Sequence, residues 1–138
     1  MTEVPVFYAS NEGQTRRIAE RISEILRGRG FESIAIDVAS PAANGVKWER
    51  LRGAILGASL HLGRHQKTAA LFARTHRERL NAVPSAFFSV SLGIASKRSG
   101  EAEEARRIAR SFVEEAGLLP RRVVCFPGRL AYTHYGFL

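Results

Sequence analysis

The chain has 138 residues, enough for one domain with a sizeable core and too few for two. Its 45% hydrophobic and 25% charged residues exclude a disordered chain, and a single cysteine, Cys125, excludes an internal disulfide framework. Lysine stands only at Lys47, Lys67 and Lys97, so 18 of the 21 basic residues are Arg, and against 13 acids they give a net charge of +8. An arginine-rich surface favours anionic partners such as nucleic acid, acidic lipid headgroups or carboxylated small molecules, although a GC-rich coding habit produces the same bias. No specific nucleic-acid partner is expected. There is no signal-peptide pattern and no window of transmembrane length, so a cytoplasmic location is expected, with peripheral contact at an anionic membrane surface as an extension.

"VPVFYA", residues 4–9, reads as a short buried strand. From Gln14 onward, Ile18, Ile22 and Ile25 recur at helical spacing, with Asn11 placed to cap and Gln14 completing a capping box. Gly28 and Gly30 end that helix. "SIAIDV", 33–38, is a second strand, and "SPAANG" is a loop. "VKWERL" is at most a short helix, from which Trp48 and Leu51 cover the sheet. "GAILGAS", 53–59, is almost wholly apolar, as a central parallel strand covered on both faces must be. One helix is expected from Gln66 to Leu80, with Ala69, Phe72, Ala73, His76 and Leu80 on one side. "PSAFFSVSL", 84–92, is strand four. Glu101 to Ala116 forms a helix with acids first, arginines after and Gly117 as its stop. "RRVVCFPG" supplies strand five, with Cys125 as a buried structural thiol.

This alternation predicts an α/β fold, an open doubly wound five-stranded parallel sheet in order 2-1-3-4-5. After strand five only "RLAYTHYGFL" remains, too short and too rich in glycine and aromatics for a fifth helix. Either a partner covers part of one face, or the chain is shorter than its fold requires. Apolar side chains should be exposed near strands one and three, with a homodimer forming through the uncovered face.

Ligands of such sheets bind beyond the carboxyl ends of the strands. Three segments emerge there. The first, "SNEGQT", has the makings of an anion nest at a helix N-terminus: Ser10 and Thr15 offer hydroxyls, Asn11 and Gln14 amides, and Gly13 a turn. A single glycine fails the dinucleotide fingerprint, and no lysine follows it, so the Walker loop fails as well. A monophosphate cradle and a plain turn both remain open. The second segment, "GASLHLGRHQ", carries Ser59, His61, Leu62, Gly63, Arg64 and His65, and its glycine and rings suit a flat ligand. His61 and His65 otherwise read as solvent-facing, and no metal site is expected from them. The third, "SLGIASKRSG", offers backbone amides and Ser96 to the same ligand. Ser89 and Ser91 have no evident base partner, so no Ser-His-Asp hydrolase is expected.

Three stretches together carry a resemblance: "FYASNEGQTRRIAERI", "LRGAILGASLHLGRHQKTAALFARTHRERLNAVPSAFFSV" and "SVSLGIASKRSG". Through them the chain resembles the flavodoxin-like family, and within it the menaquinone-dependent protoporphyrinogen IX dehydrogenase branch. The resemblance implies flavin mononucleotide (FMN) as cofactor. Ser10, Asn11, Glu12, Gly13, Gln14 and Thr15 would wrap its phosphate. Ala58, Ser59, Leu60, His61, Leu62 and Gly63 would border the flavin, with Ser91, Leu92, Gly93 and Ile94 on the third loop nearest the ring. Relatives often place an aromatic where this chain has Leu62, and they continue beyond position 138 with more loop and a final helix.

The implied activity is oxidation of protoporphyrinogen IX with a membrane quinone as acceptor, a step of heme biosynthesis in which the flavin carries the chemistry. A generic flavodoxin-like electron carrier and a truncated, non-catalytic interaction domain are the alternatives. The charge bears on this choice. A +8 chain is steered toward a substrate bearing propionates rather than toward the basic partners that suit acidic electron shuttles.

Overall fold

The computed structural model describes residues 2–61, 63–91 and 99–127. Strands β1 (Val6–Ala9), β2 (Ala35–Asp37), β3 (Ala54–His61), β5 (Ser85–Ser91) and β6 (Arg122–Pro127) form a parallel sheet in the order β2-β1-β3-β5-β6. A two-residue strand, β4 (Arg64–His65), folds back antiparallel onto the end of β3. Helix α1 (Gln14–Gly28) follows β1, while α2 (Lys67–Thr75) and α3 (Arg77–Asn81) connect β4 to β5, and α4 (Ser99–Ala116) connects β5 to β6. The expected order 2-1-3-4-5 is this order, with β4 added off the main path. Residues 128–138, on which the expectation of no fifth helix rests, lie outside the described residues.

Alternation along the strands assigns each side chain to a face. Phe7, Leu56 and Phe87 point toward α2 and α4 and are almost completely buried there with Ala69, Ala73, Ala109 and Val113. Each contributes on the order of 2 kcal/mol by leaving water. Trp48 stacks on Phe7 at 5.5 Å and Leu51 is buried, so the 47–51 segment covers the sheet as its sequence implied. That segment is a 3-10 turn, Trp48–Arg50, preceded by a second one over Pro41–Gly45 where the sequence suggested plain loop.

On the opposite face, Val6, Tyr8, Phe88 and Val90 form a second cluster with Ile18 and Ala19 of α1. Gly57 permits this packing. A Cβ built on it would meet the Phe88 ring at 1.9 Å, so a glycine in the middle of β3 makes room for an aromatic on β5.

Several expectations need correction. The helix expected over 66–80 is two helices, joined at His76, whose ring packs against Trp48 at 5.0 Å and Phe72 at 4.6 Å. Asn11 does not cap α1. The cap position is Gly13, in the left-handed region at φ 87°, and no side chain bonds there, so Asn11 and Gln14 make no capping box. The face at β1 is not bare, because α1 lies over it and buries Val6 and Tyr8. Among the described residues, the large apolar side chain exposed on that face is instead Val124 of β6, 37% exposed and beyond the reach of α1. Cys125 is half-buried rather than buried, its thiol 3.9 Å from the Ala105 carbonyl. Burial pushes its pKa up, which keeps it a thiol. Among the described residues no helix is long and apolar enough to cross a membrane.

Candidate functional site

β1 and β3 are neighbours in register, Ala9 beside Ala58, so the segments that leave them emerge side by side at the carboxyl edge. Between them lies a cavity of about 140 Å3 lined by Ser10, Asn11, Glu12, Gln14 and Thr15 from the first segment, Ser59, Leu60 and His61 from the second, and Val90. Two of the three predicted segments thus converge. Leu62, Leu92, Gly93 and Ile94, together with Ser96, lie outside the described residues.

The first segment is shaped by one side-chain bond and one unusual dihedral. Ser10 Oγ accepts the Gly13 N–H at 2.9 Å, folding the loop back on itself, and Gly13 then turns at positive φ into α1. A Cβ at Gly13 would touch nothing within 4 Å, so its requirement is conformational and not one of space. The N–H groups that open a helix have no partner within it, and no side chain caps this one. Thr15 adds a second uncommitted group. It is fully buried, it lines the cavity, and its Oγ1 has no hydrogen-bond partner among the described residues. A buried hydroxyl left unpaired costs about 1–3 kcal/mol. At a helix N-terminus facing a cavity, an anion supplied from outside is a partner that would remove this cost.

The second segment is held from within. Gln66 Oε1 accepts the Ser59 N–H at 3.0 Å and its Nε2 donates to Ser59 Oγ. Gln66 sits at the cap position of α2 but its side chain makes no cap, because it is spent on Ser59. His65 is the other anchor. Its Nε2 lies 2.8 Å from Ser89 Oγ, and its ring meets Phe87 and Phe112 edge-on at 5.5 and 5.0 Å. Burial lowers its pKa to about 4, so the imidazole is neutral at pH 7. His65 is therefore not a solvent-facing histidine, and Ser89 does have a histidine partner. The pair is no hydrolase dyad, because Ser89 is fully buried and no substrate reaches it.

Strand parity decides which predicted residues reach the cavity. Ser59 and Val90 are register partners on the α1 side and line it. Ala58 and Ser91 point to the other face: Ala58 is buried in the core below α2 and α4, and Ser91 is buried as well. Val90 was missed because its neighbour Ser91 carried the polar signal. Gln66 and His65 were missed as anchors because nothing local to "GRHQ" marks Ser59 or Ser89 as their partners. Gly63, at φ 78°, makes the turn between β3 and β4 and faces a different cleft.

The profile of the flavodoxin domain family matches residues 5–138. The chain belongs to the flavodoxin domain family. Protoporphyrinogen IX dehydrogenase [quinone] of Escherichia coli is 30% identical over 131 residues, 94% of this chain and 70% of the relative. Among solved structures, oxidised flavodoxin 1 of Bacillus cereus superposes with a TM-score of 0.62 at 19% identity, covering 96% of this chain and 90% of its own. A Fusobacterium nucleatum flavodoxin mutant bound to flavin mononucleotide gives 0.55 at 20% identity, covering 90% and 68%. In this flavodoxin domain the loop after β1 suits the phosphate of such a cofactor, given its uncapped helix, its glycine turn and the orphaned Thr15 hydroxyl.

Proposed function

We propose that this flavodoxin domain binds FMN and oxidises protoporphyrinogen IX to protoporphyrin IX in three two-electron steps, with three equivalents of quinone taking up the six hydrogens as quinol. The observation that carries the reading is the buried, unpartnered Thr15 Oγ1 beside the uncapped N-terminus of α1. An FMN phosphate gives that hydroxyl an acceptor and gives the helix dipole an anion. Ser10 spends its lone pair on Gly13 and keeps its proton for a phosphate oxygen. His61 and Val90 offer the aromatic and apolar wall that a flat ring needs. Bound there, the flavin supplies redox chemistry that no protein side chain provides.

The protoporphyrinogen assignment is supported by the relative from Escherichia coli and by the charge of +8, which suits a substrate with carboxylates. The test is direct. The FMN-loaded protein should generate porphyrin fluorescence from protoporphyrinogen IX in the presence of a menaquinone analogue, above the rate without protein. A protein that holds FMN yet leaves that rate unchanged is an electron carrier of the same fold.

A further inference from the structure

The hydrogen bonds at the carboxyl end of β3 admit one consistent assignment of protons. The Ser59 N–H can only donate, so the Gln66 atom 3.0 Å from it is the amide oxygen, Oε1. That orients the whole side-chain amide, because its two ends are told apart by their partners. The other end, Nε2, meets Ser59 Oγ. An amide nitrogen only donates, so Ser59 Oγ accepts there. Gln66 therefore grips Ser59 at both backbone and side chain. Its own backbone is held at the start of α2, where its carbonyl accepts the Ala69 and Ala70 N–H groups at 3.1 and 3.2 Å.

The grip leaves one group over. A serine hydroxyl has one proton and two lone pairs. Gln66 occupies a lone pair, and among the described residues Ser59 Oγ makes no hydrogen bond as a donor. Ser59 is half-buried, lies on the α1 side of the sheet by its register with Val90, and lines the same cavity as the loop after β1. Its proton is thus left for whatever fills that cavity. Because Gln66 fixes the hydroxyl beforehand, a ligand spends little to orient it.

A fixed donor suits an atom that accepts and does not donate. The edge of an oxidised flavin ring carries such atoms, two carbonyl oxygens and two unprotonated nitrogens. We infer that Gln66 is a positioning residue for the flavin ring: by taking a lone pair of Ser59 Oγ, it holds the Ser59 hydroxyl as a donor to an acceptor on that ring. The inference rests on the FMN reading and deepens it, adding a recognition of the ring that is separate from the phosphate.

The test is Gln66→Glu, which keeps the shape and reverses the proton. A carboxylate accepts at both ends. One oxygen still takes the Ser59 N–H, while the other takes the hydroxyl proton and turns a lone pair toward the ring. FMN and riboflavin are titrated into the purified protein at about pH 8, where the introduced carboxylate is ionised, and followed by flavin fluorescence. Gln66→Glu should weaken both about tenfold with the thermal midpoint held, and Ser59→Ala should weaken both about fivefold, the worth of one hydrogen bond. Added to Ser59→Ala, Gln66→Glu should have almost no further effect, since no hydroxyl remains to be turned.

A carboxylate that weakens binding equally in the Ser59→Ala background, or that weakens FMN far more than neutral riboflavin, acts through its charge and overturns the inference. Unchanged affinity in Gln66→Glu or in Ser59→Ala overturns it as well. Should Gln66→Glu fail to fold, Ser59→Ala decides alone. Parent protein that binds FMN, with variants that bind it equally, removes the role of Gln66 and keeps the flavin reading. Parent protein that takes up neither flavin removes both.

Discussion

The two segments that wall the cavity are built on opposite principles. The loop after β1 is closed by a single side-chain bond, from the Gly13 N–H to Ser10, and leaves a helix end and a buried hydroxyl uncommitted. The hairpin after β3 commits its polar groups internally, Ser59 to Gln66 and His65 to Ser89. A group left unsatisfied inside a well-packed protein has a cost, and at a binding site the ligand removes it. Groups satisfied internally set geometry instead. On the proposed reading, the first segment is the receiver of the cofactor and the second is the wall that shapes where it would lie.

If that contrast is right, disturbing the hairpin should act first on stability and disturbing the loop first on binding. The largest effect belongs to His65. Its folded pKa of about 4 lies below the ordinary value of 6.5, so the unfolded chain binds the extra proton between those values. Stability is complete above pH 6.5, falls as pH drops toward 4 by about 3 kcal/mol, and is flat in this contribution below that. Denaturant melts across pH 4–7 should show the slope, and His65→Gln, which reaches Ser89 but does not titrate, should remove it. Thr15→Val comes next. It keeps the shape and removes the orphaned hydroxyl, so FMN affinity should fall about tenfold to a hundredfold while Tm holds or rises. A fall in Tm with affinity intact reverses the roles assigned to the two segments.

Gly13→Ala forces an L side chain into positive φ and should cost about 1–2 kcal/mol in thermal unfolding, with weaker FMN binding as the loop shifts. Gln66→Ala is the mildest. It frees the half-buried Ser59 amide and should cost about 1 kcal/mol, with a few-fold loss of FMN affinity because Ser59 itself stays in place on β3. A larger effect on affinity than on stability would make Gln66 part of the receiver.

Much of the fold was legible because periodicity carries it. Apolar β3 announced a central parallel strand, and the Ile18, Ile22 and Ile25 stripe announced α1. What failed were features set by contacts distant in sequence. The turn-back of β3 into β4 gives no hydrophobic period in two residues, and His65 is buried by Phe87 and Phe112, more than twenty positions away. At the site, "SNEGQT" declared the anion-friendly residue types, but not that Gly13, rather than Asn11, begins the helix. Nor can composition separate Ser59 from Ala58 or Val90 from Ser91. That choice is made by strand parity, and parity is fixed only once register is known.

The claim on which the rest depends is that Ser10–Thr15 receives a phosphate. Comparing FMN with riboflavin, which has the same ring and no phosphate, tests it alone. By fluorescence titration of the purified protein, FMN should bind at least about a hundredfold more tightly than riboflavin, as charge-assisted bonds to a buried hydroxyl and a helix end require. Equal affinities, or no uptake of FMN, would contradict it.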